Sequence, residues 1–266
     1  MTPNQVSEYQ GKLQELVELQ AAIKDNHILL NEHYPIVIYE PDERQLHIYD
    51  FNNEAHGYQL VGVEPDTMGL FPGIRAAFPL ACYDNRACVV VSGEVFDSIW
   101  DQVIVFHEMV HCYQFNTCEL GLRANLQIER TSVNTNDYYW ELHYPFPYED
   151  ENVAALIGHL HGKLVAGELE QAFRIRNELR LSLNNEQYEY MVWQEWKEGF
   201  ARFVENKVKK QLGIEEQHAG TAIPYSRVTF YETGSRLIDL IVQKNADCEV
   251  DIKKLFPIMM NNSTGA

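Results

Sequence analysis

The chain has 266 residues, of which 45% are hydrophobic and 23% charged, the mix of a soluble globular protein. Its formal charge is −18, and its basic residues form only short groups such as KVKK at 207–210, so nucleic acid and anionic membrane surfaces are poor partners. No apolar run approaches the roughly 20 residues that cross a bilayer, the start has neither the basic nor the apolar region of a signal peptide, and the five cysteines show no CxxC spacing, so free thiols in a cytoplasmic setting are expected.

Residues 4–24 are expected to be helical, with Val6, Leu13, Leu16, Val17, Gln20 and Ile23 near one face and charges opposite. Three strand-like runs follow at 34–40, 44–51 and 57–64, separated by PDE and NNEAH, which are turn chemistry. The next segment, PDTMGLFPGIRAAFP, is punctuated by Gly and Pro and is assigned no strand. A fourth run, ACVVVS at 87–92, is continuous and β-branched, which predicts a well-covered strand.

From about Asp97 the pattern turns helical. FDSIWDQVIVFHEMVHCYQF has a polar start at Asp97 or Ser98 and apolar residues on nearly every side, the mark of a buried helix. Residues 122–150 read as irregular, with two prolines and many aromatics. Long helices are expected over about 151–181, 186–212 and 233–245. The expectation is a single α+β domain over 1–266: a small antiparallel or mixed sheet within 34–92, then a mostly helical body over 97–245.

The stretch VIVFHEMVH at 103–111 carries the chemistry. Residues four apart on a helix are neighbours on one face, so His107 and His111 can aim both imidazoles at one point. Glu108 lies about 100° around the helix from His107. There it sits beside a metal rather than on it, placed to take a proton from water. Two ligands and a general base from five residues is the logic of HExxH zinc sites. The surroundings favour that reading, because two histidines and a glutamate on a buried helix are costly without compensation. Cys112 and Cys118 lie nearby but read as small buried hydrophobes.

A catalytic zinc takes three protein ligands. The segment WQEWKEGFARFVENK at 193–207 resembles the part of gluzincin peptidases, particularly the M1 aminopeptidases, in which W-x-x-E-G-x-A carries the third ligand. The resemblance implies Glu198 as that ligand, with Glu195, one turn earlier, as the competitor. Gly199 in a helix interior costs about 1 kcal/mol relative to Ala, which suits a close backbone approach, expected to be to the HExxH helix. Downstream, VTFYETGSRLIDL is similar to the Tyr-x-x-G segment that in this group supplies an oxyanion-stabilising tyrosine. That implies Tyr231, with Tyr225 of IPYSR as the substitute. The interval from His111 to Glu198 is longer than in M1 enzymes, and no G-x-M-E-N-like stretch precedes the helix, so the resemblance is to a minimal zincin-like catalytic domain.

The resemblance implies a zinc-dependent peptidase: Zn²⁺ on His107, His111 and Glu198, Glu108 as general base, Tyr231 on the oxyanion, and a peptide or protein as substrate. The strand at 87–92 is expected to offer an edge for an extended peptide, Glu205 either to orient a histidine or to form a surface salt bridge with a Lys or Arg, and Arg202 to bind a substrate carboxylate or pair with a Glu. The aromatics Tyr138, Tyr139, Trp140, Tyr144, Phe146 and Tyr148 are expected to pin their loop to the body, or else to roof the cleft and set side-chain preference. His159 and His161 diverge on a helix, so no second metal is expected there. Two other readings stand beside this one: a catalytically idle zincin scaffold that binds a partner, and a metal-free helical interaction protein with structural histidines.

Overall fold

In a computed structural model, residues 3–264 are described, with side chains over 8–264. The elements in order are α1 (Pro3–Ile23), β1 (Ile36–Glu40), β2 (Gln45–Asn52), β3 (Gly57–Pro65), β4 (Arg75–Leu80), β5 (Arg86–Ser92) and α2 (Ile99–Gln114). There follow α3 (Leu120–Arg123), α4 (Gln127–Thr135), α5 (Trp140–His143), α6 (Glu151–Val165), α7 (Leu169–Ser182) and α8 (Asn185–Leu212). The chain closes with α9 (Arg227–Lys244), α10 (Asp247–Val250) and α11 (Leu255–Asn261). The fold is therefore α+β, a five-stranded mixed sheet followed by helices. No helix among the described residues is long and apolar enough to cross a membrane.

The contacts divide the chain into two compact units. The first runs to Thr117 and takes in Val204–Glu216; the second comprises Cys118–Phe203 and the residues from Gln217 onward. Helix α8 is unbroken for 28 residues and serves both.

In the first unit the strand order is β3-β2-β1-β5-β4. β1 pairs parallel with β5, and the other pairings are antiparallel. Alternate residues of each strand face one side. Val37, Tyr39, Leu46, Ile48, Cys88 and Val90 form one buried layer, closed by Ile74, Leu80 and the half-buried Leu70, Phe78 and Tyr83. Val89 and Val91, fully buried, point to the opposite face, and α2 packs on β4 and β5 while α1 packs on β3. Leu13, Leu16, Gln20 and Ile23 of α1 are buried as its periodicity requires, and Val17 is half-buried; the side chain of Val6 lies outside the described residues.

Two strand expectations change. The Gly/Pro-punctuated segment contains β4, and β5 is internal, with β1 on one side and β4 on the other. Its backbone groups are already paired, so it cannot be the edge that receives an extended peptide; β3 and β4 hold the edges. Pro79 is tolerated in β4 because that strand has an open side.

In the second unit the region read as irregular holds the end of α3 and two short helices, α4 and α5. Trp140 and Phe146 are buried, whereas Tyr138 and Tyr139 are exposed. Phe146 and Tyr148 pack on Phe230 at ring separations of 5.0 and 5.7 Å, pinning this stretch to α9. The helix expected over 151–181 is two, because Gly167 takes a left-handed φ of 73° after α6. α6 starts at Asp150, whose carboxylate accepts the amides of Asn152 and Val153.

Gly199 has a close-approach role, but the neighbour is α9 rather than the HExxH helix. A Cβ on Gly199 would lie 2.7 Å from the backbone of Gly234, and one on Gly234 would meet the carbonyl of Glu195. Two glycines thus let α8 and α9 touch backbone to backbone. Gly199→Ala gains about 1 kcal/mol of helix propensity but overpacks a rigid contact at a cost of about 1–3 kcal/mol. Net destabilisation of up to about 2 kcal/mol is expected in urea unfolding, and a more stable variant would show that the backbones are not in contact.

Candidate metal centre

Helix α2 begins where its sequence provides a cap. Ser98 is extended, and its hydroxyl accepts the amide of Asp101. Its first turn is exposed at Ile99 and Trp100, and it then sinks, with Val103, Val105, Phe106, Met109 and Val110 fully buried. The five-residue motif sits in that buried part. His107 keeps 12% of its side chain exposed, Glu108 6% and His111 7%. A π-helical turn, Phe115–Glu119, follows α2 directly.

Each imidazole is held by a hydrogen bond at Nδ1. Glu205 Oε2 lies 2.9 Å from His107 Nδ1, and a carboxylate can only accept, so the ring nitrogen donates. Gln114 Oε1 lies 2.9 Å from His111 Nδ1 and accepts in the same way. A neutral ring that donates through Nδ1 presents a lone pair at Nε2. Both rings are thus set in the tautomer that ligates through Nε2. Their centroids are 5.0 Å apart, and the planes meet at 76°.

Glu205 carries a further constraint. Burial pushes its carboxyl upward, but the His107 bond and the Lys209 ammonium, 2.6 Å from Oε1, more than offset it and hold the pKa down at about 2. The carboxylate is therefore ionised wherever the protein is folded near neutrality. Glu205 thus meets both a histidine and a lysine, the two kinds of partner expected of it.

Glu198 lies seven residues before Glu205 on α8, two turns away and on the same face. His107, His111 and Glu198 each offer a ligand atom, and these three atoms lie within 4.8 Å of one another. Among the described residues no second group of this kind includes His143, His159 or His161. The competitor Glu195 is committed elsewhere. It is fully buried, receives a hydrogen bond from Arg176 Nη1, and accepts the Thr233 hydroxyl at 2.9 Å.

Tyr231, in the first turns of α9, is half-buried. Burial first, and then the charge of Glu198, push its phenol well above the ordinary tyrosine value. It remains a neutral hydrogen-bond donor at any working pH. The guanidinium groups of Arg202 and Arg227 lie 5.4 and 5.9 Å from its ring. Arg202 also donates to the Ala219 carbonyl at 2.8 Å, which ties the loop after α8 to that helix. Tyr225 instead lines a recess of about 680 Å³ with Phe146, Tyr148 and Pro224.

Sequence reasoning missed Gln114 and Lys209. Each stands at helical spacing from a residue it holds, three after His111 and four after Glu205, and that spacing is the signal that could have found them. Comparison with protein-family models, with curated proteins and with solved structures finds no match to this chain.

The two glutamates are expected to behave oppositely. Glu195→Ala strands the buried Arg176 charge and should cost about 3–5 kcal/mol in denaturant unfolding, whereas Glu198→Ala should change stability by no more than about 1 kcal/mol. Equal losses in the two variants would contradict this division of labour.

Proposed function

We propose that the chain is a zinc-dependent peptidase whose ion is held by His107, His111 and Glu198. The observation that carries this reading is the convergence of those three ligand atoms within 4.8 Å, with both imidazoles bonded at Nδ1. The donor set fits zinc. Two neutral imidazoles and one carboxylate are a known catalytic combination, leaving a fourth position open.

Zinc in such a site supplies Lewis acidity toward a carbonyl oxygen and lowers the pKa of water. The chain's own residues supply the rest. Glu108 accepts a proton from the attacking water as its oxygen bonds to the scissile carbon. It then returns that proton to the amide nitrogen as the C–N bond breaks, releasing an amine and a carboxylic acid that keeps the water's second proton until it ionises. Tyr231 donates a hydrogen bond to the carbonyl oxygen as negative charge develops there. With β5 enclosed in the sheet, strand addition by an extended peptide falls to an edge strand, β3 or β4.

Metal analysis and a peptide library test the reading. Wild type should carry one zinc per chain and cleave library peptides, and chelation should remove both metal and activity. His111→Ala and Glu198→Ala should lose zinc. Glu108→Gln should keep it and lose about 10²–10⁴-fold in hydrolysis. If Glu108→Gln cleaves as fast as wild type, the mechanism fails; if wild type holds zinc and cleaves nothing, the chain is a zincin-type scaffold with a binding role.

Tyr231→Phe isolates the second catalytic role. It should lower kcat by about 10²–10³-fold with little change in KM, the signature of a contact made chiefly in the transition state. An unchanged kcat removes Tyr231 from the mechanism.

A further inference from the structure

We propose that Lys209, covered by the ring of Trp100, is a positioning residue that orients His107 through Glu205. The inference rests on the metal reading of His107 given above and extends it to two residues that touch neither metal nor substrate.

The geometry is a series of four side chains within the first unit. Lys209 Nζ lies 2.6 Å from Glu205 Oε1, and Glu205 Oε2 lies 2.9 Å from His107 Nδ1. Each carboxylate oxygen thus has its own partner. With one oxygen tied to the ammonium, the carboxylate cannot turn without breaking that pair, so the direction in which Oε2 meets the imidazole is fixed. Trp100 stands seven residues before His107 on the same face of α2, and its ring centroid lies 4.0 Å from Lys209 Nζ. Lys209 and Glu205 are one turn apart on α8.

The burial of Lys209 decides between an ordinary surface pair and a built one. Lysines on helices normally reach out to water, and neighbouring Lys210 is exposed. Lys209 is fully buried. Withdrawing an ammonium from water is costly, and an apolar side chain in its place is often more stabilising. The carboxylate and the aromatic face offset that cost. What the charged pair supplies and an apolar residue cannot is a fixed direction for Glu205. Partners of this kind, one shell outside the ligands, typically govern metal affinity by 10–100-fold.

A double-mutant cycle on the full chain tests this, read by competition for Zn²⁺ against a chelator and by thermal unfolding of the metal-free protein. Lys209→Met should weaken zinc binding about tenfold. In a Glu205→Gln background, where the carboxylate has already gone, the same change should alter affinity less than about twofold, because the route from Lys209 to His107 is cut. Should Lys209→Met not fold, Trp100→Leu is read in the same two backgrounds. It removes only the ring over the ammonium, and should weaken binding about threefold with Glu205 present and not in the Glu205→Gln background. Equal losses in the two backgrounds would assign Lys209 a general structural part and overturn the inference. An unchanged affinity in wild-type background overturns it while leaving the metal reading intact. A wild type that takes up no zinc overturns the metal reading and this inference with it.

Discussion

The hydrogen bond from His107 Nδ1 to Glu205 is the contact on which the site depends. A histidine on a buried helix is a liability until both ring nitrogens are engaged. Here Nδ1 is occupied by an ionised carboxylate, which sets the tautomer and puts the ring's lone pair on Nε2. His111 is treated in the same way by Gln114, which sits one turn later on the same helix and is fully buried. The difference between the two supports is informative. Gln114 comes with α2 itself, whereas Glu205 comes from α8, so the His107 bond fixes one helix against another as well as fixing a ring.

Helix α8 is the element through which the other constraints are transmitted. Its residues 198, 202, 205 and 209 fall along one face, and each plays a different part. Glu198 is a ligand candidate, Arg202 ties down the loop at Ala219, Glu205 is the partner of His107, and Lys209 is the counter-charge of that partner. A continuous helix spaces these at about 1.5 Å per residue. On another face the same helix is fastened within the second unit by Gly199 against Gly234 and by Glu195 with Arg176 and Thr233. Arg176 further donates to the Asn262 side chain and the Met259 carbonyl, so this buried guanidinium also holds α11 and the turn after it. Two glutamates three residues apart differ by about 60° around the axis. That angle separates the one that builds the fold from the one set on the face of Glu205.

Legibility in the sequence follows the range of the interaction. Strands β1, β2 and β3, the cap at Ser98 and the burial of α2 rest on local alternation, turn residues and capping chemistry, and all are readable. The pairing of Glu205 with a histidine is legible as one of its options, because i+7 spacing from Glu198 is itself a local fact. What is not readable is long-range. Nothing local distinguishes β5 as internal rather than an edge, since its neighbour β4 hides in a segment dominated by Gly and Pro. Gly199 announces a close approach but not its partner, because the partner glycine lies on α9, far along the chain. Lys209 reads as one more solvated base in KVKK; only the fold reveals that its ammonium is withdrawn from water and set over Trp100.

At the centre of the proposed chemistry is one divalent ion shared by three side chains, with Glu198 as the carboxylate. Crystals grown with zinc, with anomalous data collected on both sides of its absorption edge, test it most directly. The expected result is a single strong anomalous peak about 2.0–2.2 Å from the Nε2 atoms of His107 and His111 and from a carboxylate oxygen of Glu198. No peak there, or an ion bound by the histidines with Glu198 turned away, would contradict it.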